Sequence, residues 1–392
     1  MTELRYGFAG RENGEVKRRL IWAAAAVLAA ALFLGWSFSA SARQVSNLVK
    51  VITLVRTQYL YPVNPSQLVE GAIKGIVGSL NDPYSVYLDP QTFSRLQEQI
   101  KGSFGGLGIL VGVKEQRLTV VRAYQGTPAA RAGIMAGDII SRIDDRDAAG
   151  IDLETAVHLM RGPAGTPVCL TVVRQGAEGP LTFTLVREEI RVPTVEAKVL
   201  PGTDIGYLAI SQFNEKTAEE VKNALNGLTE EKVRGLVLDL RDNPGGELTA
   251  AVNVARIFIS KGPIVHIDYR VGKDQTFYAE GKTVNLPLAV LINGGSASAA
   301  EILAAAVKET GAGTLVGTKT FGKGIVQTVF PLQNGAGLKL TTARYLTPKK
   351  NDIHEKGVEP DVAVEMPQDR SHDAQLERAC EILKQKMTAQ RA

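Results

Sequence analysis

The sequence contains few of the residues from which metal sites, disulfide frameworks and nucleic-acid surfaces are built. It has two cysteines and four histidines in 392 residues, and none of them are clustered with the spacing of a zinc site. The net charge of +4 includes no basic block, which argues against nucleic acid as a partner because phosphate binding needs clustered lysine and arginine. No metal and no organic cofactor is implied. Cys169 and Cys380 lie far apart, and we expect two unpaired thiols, although export would permit a disulfide.

A long apolar run stands out from this ordinary composition. Residues 20–38 are 19 positions without a charge, directly after Lys17, Arg18 and Arg19. A helix of that length can cross a hydrocarbon core of about 30 Å, and the basic flank favours a cytoplasmic N-terminus. We therefore expect a single-pass anchor in the cell membrane, with the catalytic part extracytoplasmic. The alternative is a signal peptide cleaved near residues 40–42, which would give a secreted or periplasmic protein.

The rest of the chain changes its pattern three times, and the expected fold class is a multidomain α/β protein. Spaced apolar residues predict helices at 46–80, short strands with glycine-rich turns follow, and later strands alternate with helices. Continuous apolar strands in that last pattern predict a buried, largely parallel sheet covered by helices. The expected regions are a cytoplasmic stub and transmembrane anchor (1–42), a helical N-terminal region (43–100), a β-rich domain (101–190), an α/β core (191–366) and a helical C-terminal tail (367–392).

Ser298 lies in a glycine- and serine-rich segment, 293–301, between a predicted buried strand and a predicted helix. Ligands and chemistry in α/β folds concentrate at the carboxyl ends of strands, and the free N–H groups of a helix N-terminus stabilise a nearby anion. A serine at this place can equally be a simple helix cap. The segment alone therefore does not identify a nucleophile.

Two further glycine-rich segments strengthen the case for a catalytic site. The strand at 233–240 runs into a turn that contains Gly245 and Gly246, where backbone N–H groups can approach a substrate carbonyl as an oxyanion hole requires. Lys323 lies between two glycines in an otherwise apolar stretch, 25 residues after Ser298. These segments together offer a hydroxyl, an amine and free amides.

The residues and the spacing of these motifs resemble those of the carboxyl-terminal processing proteases, the S41 family of serine peptidases. The motif G-S-A-S-A-x-E carries the family's nucleophile at its second serine, here Ser298, and F-G-K-G carries its base, here Lys323. Gln327 matches the residue that orients the lysine, and Ala299 would join the two glycines in the oxyanion hole. The resemblance runs from residue 81 to residue 361 and implies a core of the ClpP/crotonase-like type. Many relatives have a third serine where this chain has Ala300.

The chemistry of a Ser-Lys pair requires a neutral lysine. An amine with an ordinary pKa of about 10.4 is charged at pH 7, and burial in an apolar site can lower that pKa by as much as about 3–5 units. Phe321, Ile325 and Val326 provide such surroundings for Lys323. We therefore expect hydrolysis of peptide bonds through an acyl-enzyme on Ser298.

Residues 101–186 resemble a PDZ domain. The carboxylate-binding loop corresponds to Gly106, Leu107, Gly108 and Ile109, whose consecutive N–H groups can hold a carboxylate. The helix predicted at 153–160, with Asp152 as its N-cap, would line a groove for an added peptide strand. The implied partners are proteins or peptides with free C-terminal tails, reached from a membrane-anchored enzyme; a second copy of the chain or an adaptor would be a further partner.

Three other interpretations have to be weighed. A Ser-His-Asp triad would use His158, His266, His354 or His372, none of which lies in a motif typical of a triad. An inactive membrane-tethered PDZ scaffold would be expected to have lost Ser298 or Lys323, and both are present. A serine-dependent amidase or esterase would have no evident use for a tail-binding domain.

Overall fold

The computed structural model describes residue 22 and residues 44–281, 284–367, 369 and 371–389. The predicted membrane span at 20–38 therefore lies, apart from Trp22, outside the described residues. Within the described ranges, no helix combines the length and the hydropathy that a membrane crossing needs. The chain divides into two compact units, one up to Asn81 and one from Asp82 onward.

Within residues 44–81, the described continuous part of the first unit, there are two helices, as the apolar spacing predicts. Helix α1 spans 44–58, and helix α2 spans Pro65–Gly78. Asn64 caps α2 because its side-chain oxygen accepts a hydrogen bond of 3.0 Å from the N–H of Ser66. Proline follows at the first helical position, where its missing N–H costs nothing.

The second unit begins with a short strand, which the helical pattern of 43–100 does not indicate, followed by a helix. Strand β1 (Val86–Leu88) pairs antiparallel with a strand near the other end of the chain, at residues 337–339. Helix α3 (Pro90–Lys101) and strand β2 (Ser103–Gly106) follow. Asp89 caps α3 by accepting a hydrogen bond of 2.9 Å from the N–H of Thr92.

A six-stranded antiparallel sheet and two helices form the next part, in agreement with the predicted PDZ-like pattern. The strand order is β3-β4-β5-β7-β8, with the short β6 on β5. Helix α5 has the predicted bounds and is capped by Asp152, which accepts a hydrogen bond of 2.9 Å from Thr155 N–H. The elements are β3 (Ile109–Lys114), β4 (Arg117–Ala123), α4 (Pro128–Arg131), β5 (Ile139–Ile143), β6 (Arg146–Asp147), α5 (Leu153–Met160), β7 (Pro167–Val173) and β8 (Leu181–Val186).

Asp138 is a buried charge that holds this sheet together. Arg174 donates to both of its carboxylate oxygens, at 2.7 and 2.8 Å, and the N–H of Met135 donates at 2.9 Å. Burial by itself would raise the pKa of Asp138, but these hydrogen bonds outweigh it and the pKa lies below its ordinary value. The carboxylate is therefore ionised throughout the neutral range.

Replacing Asp138 by alanine should lower the free energy of unfolding of this domain by about 2–3 kcal/mol at pH 7, because charged hydrogen bonds are lost. The folded-state pKa is depressed, so this contribution exists above the unfolded pKa of about 3.9 and disappears as the pH falls through the folded value. This contribution to stability is measured from the protection of the β5 amides against hydrogen exchange, compared at pH 7 and below pH 4. Asp145→Ala, an exposed change nearby, is the control; equal losses in both variants would contradict the assignment.

Most of the remaining described strands belong to two sheets. The first has the order β10-β11-β12-β15-β16-β19 and is parallel except for β10, as the continuous apolar strands predict. The second is antiparallel and joins β1, β18, β13 and β14, with β17 on the other edge of β18. The strands are β9 (Glu188–Arg191, paired with β2), β10 (Val195–Val199), β11 (Ile205–Ile210), β12 (Gly235–Asp239), β13 (Pro263–Tyr269), β14 (Gln275–Tyr278), β15 (Leu288–Ile292), β16 (Thr314–Gly317), β17 (Ile325–Pro331), β18 (Gly337–Leu346) and β19 (Val362–Ala363).

Helices cover both faces of the parallel sheet. Helices α6 (Thr217–Glu230), α7 (Leu248–Phe258) and α8 (Ala299–Thr310) pack on one face. The C-terminal helix α9 (Ala374–Ala389) covers the other, so the predicted tail is part of the core. Ala379, Ile382 and Leu383 of this helix are buried, and Leu376 packs beside them.

The two thiols are unpaired, as expected. Cys169 lies in β7 and Cys380 in α9, and both are half-buried. Burial raises the pKa of Cys380 above its ordinary value.

Candidate active site

Ser298 occupies the N-terminus of α8 in a strained backbone conformation. Its φ and ψ are 54° and −115°, which non-glycine residues rarely adopt. The turn before it is tied to the end of β12, because the Ser296 hydroxyl donates to Leu240 O at 2.7 Å and accepts from Asn293 N–H at 3.0 Å. The sequence therefore holds the Ser298 side chain at the carboxyl ends of β12 and β15.

The turn after β12 lies directly against Ser298. A Cβ on Gly245 would be 2.8 Å from the Ser298 Cβ and 2.9 Å from the Ala299 nitrogen, and the φ of Gly245 is +97°, so only glycine fits. Its own N–H already donates to the Asn243 side chain at 2.8 Å, which differs from the expected free oxyanion donor. The N–H groups of Gly246 and Ala299 have no hydrogen-bond partner in the described part of the chain. These two amides remain open to a substrate oxygen.

Glu301 holds the segments of Ser298 and Lys323 together, a role that the sequence analysis missed. This carboxylate is fully buried. One of its oxygens accepts hydrogen bonds of 2.8 Å from the backbone N–H groups of both Ser298 and Lys323. The other oxygen accepts from Gly322 N–H at 2.7 Å and from the Thr320 hydroxyl at 2.6 Å. A glutamate three residues after a helix-capping serine is the signal that could have indicated it.

Tyr345 of β18 also contacts the backbones of both Ser298 and Lys323. Its hydroxyl donates to Lys323 O and lies 3.1 Å from Ser298 O. Burial, reinforced by the Glu301 charge, raises the pKa of Tyr345 far above its ordinary value, so this hydroxyl remains a donor. The backbones of Ser298 and Lys323 thus share two common partners.

Lys323 is half-buried, and its surroundings favour the neutral amine. Burial lowers the pKa of Lys323, the charge of Lys339 lowers it further, and the carboxylates of Glu301 and Asp82 act in the opposite direction. The net pKa lies below the ordinary value. A larger fraction of the amine is therefore neutral at a given pH, which a general base requires.

Gln327 is the predicted orienting residue for the lysine. It lies at a register shift in the pairing of β17 with β18, and its amide nitrogen is 3.5 Å from Ile325 O. Among the described residues it makes no hydrogen bond with Lys323. The orienting role remains a prediction.

The histidines do not provide a Ser-His-Asp alternative in the described ranges. The ring of His266 lies between Thr276 and Pro348 O, at 2.8 and 3.2 Å, and His372 is exposed near Glu377. His158 lies in α5, and His354 packs its backbone against the glycine that follows Lys323. None of the four forms a hydrogen bond with Ser298.

Arg241 links the glycine turn after β12 to the C-terminal helix. Its guanidinium binds Asp239 at 2.6 Å and Asp373 at 2.9 Å, and Tyr207 donates to Asp239 at 2.8 Å. Because Asp373 lies 132 residues from Arg241, no local pattern could have indicated the pair. The connection fixes the start of the turn that reaches Gly245.

The predicted peptide site lies at the free edge of the PDZ-like sheet. Strand β3 is an edge strand, and α5 packs beside it. The carbonyls of Leu107 and Gly108 accept hydrogen bonds from Ala129 N–H and Tyr124 N–H, while their own N–H groups have no partner in the described ranges. Gly108 has a φ of +71°, and an added Cβ would be 2.3 Å from Thr127. With Gly106 ending β2 and Ile109 beginning β3, the loop can present amides to a carboxylate.

Comparisons with known protein families agree with these regions. The family described as "Peptidase family S41" matches residues 204–364, and "PDZ domain" matches residues 119–174. The description "Activating protease CtpB N-terminal domain" matches residues 35–92.

Individual proteins are similar over most of the chain. A carboxy-terminal-processing protease of Bartonella bacilliformis is 43% identical over 332 residues, 83% of this chain and 76% of that protein. The carboxy-terminal processing protease CtpB of Bacillus subtilis is 38% identical over 329 residues, 83% of this chain and 68% of that protein. Among solved structures, a photosystem II D1 C-terminal processing protease is 32% identical with a TM-score of 0.48, covering 84% of this chain and 89% of that one.

Proposed function

This chain belongs to peptidase family S41 with the carboxy-terminal processing proteases, and on that premise we propose that it is a serine endopeptidase whose nucleophile is Ser298 and whose general base is Lys323. One observation carries the proposal. The backbone amides of both residues donate to the same oxygen of buried Glu301, each at 2.8 Å. Two segments that are distant in sequence are thereby joined around a single carboxylate.

The reaction follows from the groups at this centre. Neutral Lys323 takes the hydroxyl proton of Ser298 as the oxygen attacks the peptide carbonyl carbon. The N–H groups of Gly246 and Ala299 stabilise the resulting oxyanion. The protonated lysine then gives its proton to the leaving amine, and an acyl-enzyme remains on the serine. Water attacks that ester with Lys323 again as base, which releases the acid and restores the hydroxyl. Gln327 would orient the lysine once substrate is bound.

The substrates that we propose are proteins with free C-terminal tails. The open amides of Leu107 and Gly108, at the edge of β3, support capture of a terminal carboxylate with the tail added as a strand. Relatives of this chain are bacterial and chloroplast processing proteases. We propose that the catalytic part acts outside the cytoplasm, with residues 20–38 as its anchor or export signal.

A cleavage assay tests this function directly. The full-length chain is incubated with a model protein that ends in an apolar tail, once with a free terminal carboxylate and once with a terminal amide. We expect cleavage of the free-tailed protein and slower cleavage of the amidated one, with Ser298→Ala as the inactive reference. If neither is cleaved above that reference, the chain acts as an inactive PDZ scaffold instead.

Gly108→Val should reduce tail binding without touching the dyad. Valine strains the φ of +71° and its Cβ would meet Thr127 at 2.3 Å, so the loop has to move. We expect KM for the tailed protein to rise about tenfold, equivalent to about 1.4 kcal/mol, with kcat nearly unchanged. Gly126→Val, at a positive φ but with open space around it, is the matched control. A kcat loss with unchanged KM would contradict the assignment.

A further inference from the structure

The loop 82–85, which precedes β1, is fixed in place by its own side chains and by β18. Asp82 accepts hydrogen bonds from Tyr84 N–H at 3.0 Å and from the Ser85 hydroxyl at 2.6 Å. The Ser85 hydroxyl in turn accepts from Thr341 N–H at 3.0 Å. These bonds hold the backbone that carries Tyr84 against β18.

That ring lies on the amino group of Lys323. Strands β1 and β17 pair with opposite edges of β18, since Leu338 is opposite both Tyr87 and Phe330. Tyr84, just before β1, and Lys323, just before β17, therefore approach each other across β18. The Lys323 Nζ is 4.8 Å from the centroid of the Tyr84 ring, within cation–π range. In the described ranges this amino group has no hydrogen bond or ion pair.

We propose that Tyr84 is a positioning residue for the reaction: its ring covers the Lys323 amino group, keeps water from it and holds it at the active centre. The inference rests on the proposed role of Lys323 as general base. The loop 82–85 would then help to position the general base, although it lies more than 200 residues before Ser298 and Lys323 in the sequence.

The ring acts on the lysine in two opposite directions. Its π face favours the ammonium form, whereas its exclusion of water favours the neutral amine. Burial is the largest cause of the lowered pKa of Lys323, so loss of the ring should raise that pKa. The titratable groups around Lys323 are Lys339 and Tyr345 of β18, Glu301 of α8, Asp82 and Tyr84 of the loop, and His354 of the segment packed on Gly324.

The pH dependence of kcat/KM for the tailed protein tests this role in the full-length chain. Tyr84→Ala should move the midpoint of the rise with pH upward by about one unit, which lowers the rate at pH 7 about tenfold because the neutral fraction falls tenfold per unit. Tyr84→Leu, which keeps part of the bulk, should give a smaller shift. Tyr84→Phe keeps the ring and should retain the wild-type midpoint.

The midpoint does not depend on how much of a variant is folded, so reduced folding of Tyr84→Ala leaves the test intact. An unchanged midpoint in Tyr84→Ala, or an equal shift in Tyr84→Phe, would overturn the proposal. Titration of the Lys323 amine by nuclear magnetic resonance in Ser298→Ala protein, with and without Tyr84→Ala, gives a readout without activity. If Ser298→Ala cleaves like wild type, the proposed function fails, and this titration still decides the role of Tyr84.

Discussion

Replacing Ser298 by alanine is expected to lower kcat/KM for a tailed protein by about 10⁴-fold or more, while the melting temperature stays within a few degrees of wild type. Removal of a catalytic nucleophile costs about 10⁶-fold in well-studied serine proteases, and the part that remains comes from binding and the oxyanion hole. Lys323→Met should lower kcat by about 10²–10⁴-fold, the usual contribution of a positioned base. Steady-state cleavage, read by mass spectrometry of the products, measures both.

The dyad variants have matched controls in the same segments. Lys319→Met removes an exposed lysine four residues before Lys323, one whose partner is Glu359 at 3.2 Å, and should leave the rate unchanged. The double variant of Ser298 and Lys323 should be no slower than Ser298→Ala alone, because the base has no function without its nucleophile. Additive losses in the double variant would show that the two residues act independently.

Glu301→Ala is expected to reduce stability and activity together. The change leaves four buried or part-buried donors without a partner, and each unsatisfied buried donor costs about 1–3 kcal/mol. We expect a loss of about 4–6 kcal/mol in the free energy of unfolding, a large part of the about 5–15 kcal/mol that a typical protein has. Because Ser298 and Lys323 lose their common acceptor, cleavage should fall to the level of Ser298→Ala. Urea unfolding and the cleavage assay measure the two effects.

Glu301→Gln separates packing from hydrogen bonding at this position. Glutamine keeps the volume, but its NH₂ group would face N–H donors, so the variant should be more stable than Glu301→Ala and still poorly active. Glu309→Gln is the matched control on the same helix; its carboxylate binds Thr347 and Asn351 at the far end of α8. Wild-type activity in Glu301→Gln would mean that this carboxylate does not organise the dyad.

The parts of the fold that the sequence predicts are those whose signals are local. Helix α5 has the predicted bounds because Asp152 and the following apolar spacing lie within one short segment. Strands β12 and β15 are buried along their whole length, as their continuous apolar residues indicate. In both cases a few neighbouring residues determine the outcome.

The parts that escape prediction depend on contacts between distant segments. Strand β1 pairs with residues 337–339, and no periodicity near residue 86 reports that partner. Glu301 lies within the recognised motif, but its hydrogen bond with the Lys323 amide could not be predicted, because it depends on how two separate loops pack together. The contact of Tyr84 with that lysine likewise requires β18 between them. The motifs indicate where the chemistry is expected, whereas the supporting residues are recognised only from the tertiary structure.

The central claim is that Ser298 becomes covalently modified with Lys323 as its base. Peptide mapping by mass spectrometry after reaction of the full-length chain with a serine-directed phosphonate tests it most directly. We predict an adduct on Ser298 alone, forming faster as the pH rises through the lowered pKa of Lys323 and nearly absent in Lys323→Met. An adduct on another residue, or undiminished labelling of Ser298 in Lys323→Met, would contradict it.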